Sequence, residues 1–361
     1  MVQFQERFTF SVPKRIAEPK ISMLEKPDLK DEKIIACLDH QYGLMVRNID
    51  FLPIGADFNT VVYRAVANDG KRYFLKLRLG EIPTSLTTVP KFLSDLGIRQ
   101  VIPPLATRTG QLWAEFHPYK MILSPLIEGH SGFEQPLSDR DWVEFGRLLR
   151  KFHSADIPQR LTRDVPSESF SDRWRESVKM FLARIQKEDY PEPIAAQMAA
   201  YLNSKRDEIY SLIERSEQLS RIIQPSPSEF ILCHADIHVG NLLIADTGEI
   251  YIVDWDTLMF APKERDLMFI GGGLGGGSHT PGEEIKLFYQ GYGEANIDSD
   301  LLAYYRYERI LEDIAVYCEK IILSKAGGED RQQSFEFLKS NFLPNGTIEL
   351  ASRSDLSLKA R

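Results

Sequence analysis

Residues 230–256 read FILCHADIHVGNLLIADTGEIYIVDWD, and the spacing of the polar residues in that run decides how the rest of the chain is read. A short apolar run at 230–233 delivers the chain to HADIHVGN, and a second at 242–244 leaves it. Asp246, Thr247 and Gly248 then turn, and a third run at 250–253 returns antiparallel to end on Asp254. His234, Asp236 and Asn241 therefore share one loop, with Asp254 at the end of the next strand. Two carboxylates and an amide oxygen can converge on one point. That set suits phosphoryl transfer: Asp236 would accept or orient a hydroxyl proton, and Asn241 and Asp254 would offer hard oxygens to a divalent cation.

A lone Asp or Asn in a loop is normally a cap or a turn residue. The pattern HxDxxxxN followed by a hydrophobic hairpin ending in Asp is far more specific. His234 and His238 have no third ligand nearby and do not read as a zinc pair, so His234 is expected to bond backbone and hold the loop.

Working upstream, 49–54 (IDFLPI) and 60–66 (TVVYRAV) read as strands on either side of GADFN, and Asn68, Asp69 and Gly70 turn the chain into 72–77 (RYFLKL). Alternation in that strand puts Tyr73, Leu75 and Leu77 on one face and Phe74 and Lys76 on the other. A lysine in an apolar strand can snorkel to solvent. Three hairpin strands with a Gly/Asp/Asn turn before the lysine favour the other reading, in which Lys76, Gly55 and Asn59 face a nucleotide's phosphates. The turn is poorer in glycine than GxGxxG, and no Walker A sequence occurs. Such a lysine needs a carboxylate to hold it, and Glu81, before Pro83 and the interrupting Pro90, is the candidate.

Residues 101–105 (VIPPL) and 119–127 (YKMILSPLI) read as further strands, and EGHSGF after them marks a shift to a linker. The expected organisation is an extension outside the fold at 1–22, a nucleotide-binding lobe at 23–124 and a catalytic, substrate-binding lobe at 125–361. The backbone of Ser124, Leu126 and Ile127 would then meet an adenine edge. A helix at 31–42 belongs to the first lobe. The second is mostly helical: 137–153 opens on Ser138 as its cap, and 171–189, 193–223 and 304–317 follow. His153 reads as a structural or capping residue and Asp266 as a buried carboxylate bracing the catalytic loop. IGGGLGGG at 270–277 lacks the ending and context of a phosphate loop.

The composition limits the function. With 361 residues, a net charge of −8 and a pI near 5.5, the chain is long enough for two lobes and has no basic surface for nucleic acid. No apolar run approaches membrane-spanning length. Three separated cysteines, Cys37, Cys233 and Cys318, fit reduced thiols in a cytoplasmic protein, and a monomer is the simplest expectation.

HADIHVGNLLI and IVDWD, with Lys76 upstream, resemble the aminoglycoside phosphotransferase and choline kinase-like branch of the protein-kinase fold. Within it, LGIRQVIPP, APKERDLMFIGGG, FYQGYGE and YYRYERILEDIAVY are similar to the aminoglycoside 9-phosphotransferase type. The resemblance implies an α+β, two-lobed kinase-like fold with an antiparallel N-terminal sheet. It further implies ATP and Mg²⁺ as cofactors, Asp236 as base, Asn241 and Asp254 as metal ligands, and Lys76 on the phosphates. The acceptor it implies is a hydroxyl of a cationic aminocyclitol antibiotic, spectinomycin first, with resistance as the outcome.

The substrate wall would be the helix at 304–317, through Tyr305, Glu308, Glu312 and Asp313, with Trp255 and Asp256 beside the metal. A solvated face with local pairs among Glu308, Arg309 and Asp313 explains that helix equally well. Other acceptors, such as choline, methylthioribose or another aminoglycoside, remain open. A catalytically silent nucleotide-binding protein is disfavoured by the intact Asp236, Asn241 and Asp254.

Overall fold

The computed structural model describes residues 26–54, 60–223, 229–271, 279–323, 329–344 and 346–359. The extension at 1–22, Gly55 and Asn59, and nearly all of the glycine run lie outside these residues.

Helix α1 (Asp31–Tyr42) carries acids in its first turn and ends on Gly43, whose φ of 69° is the left-handed value a helix stop requires. It covers one face of a five-stranded antiparallel sheet built from β1 (Val46–Leu52), β2 (Thr60–Ala67), β3 (Arg72–Leu79), β4 (Ala114–Phe116) and β5 (Tyr119–Pro125), in the order β1-β2-β3-β5-β4. Ile34, Leu38, Tyr63, Leu75, Leu77, Met121 and Leu123 form the core between helix and sheet. Because β3 alternates, burying Leu75 and Leu77 sends Lys76 and Arg78 to the opposite face. The lysine lies opposite Val62 on one side and Ile122 on the other.

Helix α2 (Ser85–Asp95) runs through Pro90 rather than stopping there. Asp164 receives the Ser85 amide and the Thr84 hydroxyl at its start. Its Val89 and Leu93 join the second, larger core and not the one under the sheet. The expected strand at 101–105 is absent: only Val101 makes an isolated bridge, to Ile252, because the prolines that follow cannot donate to a ladder.

Beyond β6 (Gly129–Ser131), helix α3 (Asp139–His153) starts in a reciprocal cap between Ser138 and Asp141. The stretch expected as one helix divides at Lys205 into α5 (Pro193–Ser204) and α6 (Arg206–Ile222), after α4 (Arg173–Arg184). Three short two-stranded pairings carry the site: β7 (Ile231–Cys233) with β10 (Met259–Ala261), and β8 (Leu242–Ala245) with β9 (Ile250–Ile252) and β6.

After the short α7 (Glu264–Leu267), α8 (Pro281–Tyr292) packs against α3. A Cβ on Gly146 would stand 2.1 Å from the Phe288 carbonyl oxygen, and one on Gly291 1.8 Å from that of Val143, so the two helices meet backbone to backbone. Helix α9 (Ser299–Cys318) runs through the larger core with α4, α6 and α11 (Thr347–Lys359) around it, and α10 (Glu329–Ser340) lies beside its end. Among the described residues no helix is long and apolar enough to cross a membrane.

Candidate active site

The loop after β7 is held from below by one buried carboxylate. Asp266, fully buried, accepts the amides of His234 at 2.9 Å and Ala235 at 2.6 Å, and the Nε2 of His153 at 2.9 Å. His153 is the last residue of α3, and because α3 and α8 touch, its Nδ1 also meets the Tyr292 hydroxyl at 2.8 Å. Burial alone would raise the Asp266 pKa, but His153 and the loop amide bring it below the ordinary carboxylate range. Cys233, His153 and Asp266 lie close enough to suggest a metal trio. The carboxylate oxygens are already occupied by three N–H groups, so the cluster is a hydrogen-bonded brace.

His234 donates Nε2–H to the Val253 carbonyl at 3.0 Å, joining the loop to the segment that ends on Asp254. The Val253 amide returns to the Asn241 carbonyl at 3.0 Å. Two residues pay for this geometry in backbone strain: Ala235 at φ 67° and Asp254 at φ 62°, flanking or carrying the chemical groups. Gly240 is needed for space, since a Cβ there would fall 2.3 Å from the Phe133 ring.

Asn241 donates Nδ2–H to the Asp236 carbonyl at 2.7 Å, which leaves its side-chain oxygen to face elsewhere. Asp254 has a half-exposed side chain, and one oxygen lies 3.0 Å from Lys76 Nζ. An amide oxygen and a partly open carboxylate are a donor set that fits a hard dication such as Mg²⁺.

Lys76 sits between two carboxylates, Asp254 and Asp256, the latter at 2.5 Å, and Arg78 pairs with Asp256 as well. Burial works against the charge on Lys76, but the carboxylates outweigh it and its pKa stands above the ordinary lysine value. Asp254 stays below the ordinary carboxylate range for the converse reason: burial opposes its charge and Lys76 more than compensates.

Asp236 Oδ1 is 2.6 Å from Arg309 Nη1. The Gly240 amide donates to His238 Nδ1 at 3.0 Å, so the proton of a neutral His238 sits on Nε2, 3.7 Å from Asp236 Oδ2. Burial pushes the His238 pKa down to about 4 against the pull of Asp236, and the ring is neutral at pH 7. Burial opposes the charge on Asp236 too, yet Arg309 and the two histidines keep its pKa below the ordinary value.

Several expected site residues lie elsewhere. Glu81, with a side chain 89% exposed, pairs with Lys120 at 3.2 Å and not with Lys76. It precedes α2, which turns its own apolar side to the larger core and carries no glutamate. Trp255 is buried, stacked edge-on against Phe152 with its N–H on the Ile252 carbonyl, and is core rather than substrate wall. Asp256 serves Lys76 and Arg78.

Tyr305 is fully buried, and Glu308 is buried between α4 and α6, 2.8 Å from Arg175 and hydrogen-bonded by Ser216. The polar stripe expected on α9 fails because this helix is enclosed by others on most sides. Glu312 and Asp313 do line a cavity of about 190 Å³, with Arg309, Tyr317 and Phe337. Burial pushes Asp313 up to about 6, although Arg309 pulls the other way. Leu126 spends its amide on the Arg72 carbonyl at 3.1 Å and Ser124 lies opposite Phe74 within the sheet ladder, leaving Ile127 and the Leu126 carbonyl as the linker's candidates for an adenine. Arg309 is the contact that the sequence reading placed among local surface pairs.

The sequence pattern known as the phosphotransferase enzyme family matches residues 50–306. The chain belongs to that family. Spectinomycin phosphotransferase APH(9)-Ia, solved with ADP and spectinomycin, superposes with a TM-score of 0.85 at 37% identity, over 91% of this chain and 99% of that one. The AMP-bound complex of the same enzyme gives 0.81 at 36% identity, over 90% and 98%. Protein StrN of Streptomyces griseus is 23% identical over 184 residues, 49% of this chain, and the match spans only 56% of that protein's length. The phosphotransferase family thus supplies the kinase-like fold seen here: an antiparallel sheet lobe followed by a helical remainder.

Proposed function

We propose that this phosphotransferase moves the γ-phosphoryl group of ATP to a hydroxyl of an aminocyclitol antibiotic, with spectinomycin as the first choice, and so inactivates it. The observation that carries the reading is the convergence of Asp236, Asn241, Asp254 and Lys76 in a chain so similar, end to end, to an enzyme captured with ADP and spectinomycin.

In this reading Asp236 takes or orients the acceptor's hydroxyl proton through Oδ2, the oxygen not held by Arg309. Asn241 and Asp254 hold Mg²⁺, which would neutralise phosphate charge. Lys76, released from the carboxylates, pairs with the phosphates, and the linker around Leu126 and Ile127 receives the base. Glu312 and Asp313 give the acceptor side a negative character suited to ammonium groups. The lobes divide near residue 124, and the protein acts as a cytoplasmic monomer.

The test is a panel of spectinomycin, other aminocyclitols, choline and methylthioribose, each with ATP and Mg²⁺, scored by product mass. Spectinomycin should gain one phosphate, and Asp236→Asn should slow this by about 10²-fold or more. Phosphate on another alcohol with none on spectinomycin would overturn the acceptor and keep the kinase.

A further inference from the structure

Helix α9 reaches the catalytic loop through Arg309. The guanidinium of Arg309 places Nη1 2.6 Å from Asp236 Oδ1 and Nε 3.1 Å from Asp313 Oδ1, one turn further along its own helix. The second contact is an ion pair without hydrogen-bond alignment. The Arg309 side chain is 24% exposed, lies over the Phe269 ring at 5.8 Å, and forms part of the wall of the cavity that Glu312, Asp313, Tyr317, Lys320 and Phe337 complete. Arg309 is therefore fixed at three points: by a carboxylate on its own helix, by an aromatic face, and by the carboxylate in the catalytic loop.

A carboxylate on a short loop can rotate about its Cα–Cβ bond, and only some rotamers aim a lone pair at an acceptor hydroxyl. With Oδ1 tied to Arg309, the remaining oxygen, Oδ2, is turned toward His238 and left without a hydrogen bond at 3.7 Å. A guanidinium suits this task better than an ammonium, because its planar fork sets direction as well as charge.

We propose that Arg309 is a positioning residue: it locks the Asp236 carboxylate so that Oδ2 is presented to the acceptor, and Asp313 anchors the guanidinium that does so. The inference rests on the phosphotransfer reading for its kinetic consequence but not for its geometry. Arg309 shares the wall of the cavity proposed for the acceptor, but in this scheme its effect on the chemical step runs through Asp236.

Two measurements decide it. The first compares Arg309→Met, Arg309→Lys and Asp313→Asn with wild type on whichever acceptor the panel identifies. Loss of positioning should lower kcat about 10²-fold in Arg309→Met, with the KM for ATP and for acceptor within about threefold. Arg309→Lys should recover part of the loss, and Asp313→Asn should fall between. A kcat within about threefold of wild type in Arg309→Met overturns the inference, as does a loss confined to KM.

The second is a crystal structure of Arg309→Met, in which Asp236 should leave its wild-type rotamer or occupy more than one. If the wild type phosphorylates nothing in the panel, the functional reading falls and this structure alone judges Arg309. An Asp236 that keeps its single rotamer overturns the proposal.

Discussion

Asp256 lies 2.5 Å from the ammonium of Lys76, a contact across 180 residues that occupies the place a helix glutamate was expected to take. The same carboxylate receives Arg78, two residues along β3, so it binds two of the three cationic side chains on that face of the strand, the third, Arg72, pairing with Glu128. Lys76 is thus poised by the segment that carries the metal-type Asp254, and not by α2. Asp256→Asn should raise the KM for ATP and lower kcat together, by about tenfold, the scale on which outer partners of a working charge act. Glu81→Gln should change neither, because Glu81 sits on Lys120 in solvent. Steady-state kinetics on the two variants separate the assignments; a defect in Glu81→Gln matching that of Asp256→Asn would refute this one.

Asp266 is a different kind of carboxylate, enclosed and fully committed. Asn can keep only one accepting oxygen, so Asp266→Asn must orphan or repel at least one of the His234, Ala235 and His153 N–H groups. A loss of about 1–3 kcal/mol in stability is expected, with a lower kcat because the loop carrying Asp236 loses its support. The Asp266 pKa is depressed on folding, so its contribution is present above the unfolded value near ~4 and disappears as pH falls through the folded one. Denaturant midpoints against pH should therefore converge for wild type and variant in acid.

The sequence was readable where chemistry and local pattern coincide. His234, Asp236, Asn241 and Asp254 are fixed by spacing along one hairpin, and the alternation around Lys76 follows from the two-residue period of a strand. Partners chosen in three dimensions were not readable. Nothing local says that Asp256 will meet Lys76, or that Arg309 will turn from its helix neighbours to Asp236. Helix α9 misled for a specific reason: its Tyr305 and Glu308 look like a polar face, yet Arg175 and Ser216 from two other helices make that face interior. A buried ion pair has the composition of a surface one. The sequence-level hint was the aromatic density around it, Tyr304, Tyr305 and Tyr307 in four positions, which fits poorly with a solvated face.

That distinction gives a paired test. Glu308→Ala leaves Arg175 buried and uncompensated, so it should cost about 3–5 kcal/mol of stability while leaving the acceptor KM of the surviving folded enzyme unchanged. Glu312→Gln, at the cavity, should leave the unfolding midpoint within about 0.5 kcal/mol and raise the KM for a cationic acceptor. Thermal melts and acceptor kinetics on both variants check this, and a KM effect in Glu308→Ala with no loss of stability would return that residue to the cleft.

Glu284 provides a pH signature independent of the reaction. It lies in the first turn of α8, buried, with Oε2 accepting the Gly271 amide at 3.2 Å, while Arg306 holds the neighbouring Met268 and Ile270 carbonyls. Burial pushes its pKa up to about 7, and the pull of the Gly271 amide, His279 and Arg306 does not offset it. The folded protein thus holds this proton more tightly than the unfolded chain, whose glutamate titrates near ~4.3. The resulting stability is whole below that unfolded value, declines as pH rises and is gone above about 7, a swing on the order of 3 kcal/mol. Glu284→Gln imitates the protonated form at every pH. Against wild type it should be nearly neutral at low pH and increasingly stabilising toward pH 8, measured as the difference in denaturant midpoint. A difference that stays constant across that range would mean Glu284 titrates in the folded protein as it does in the unfolded chain.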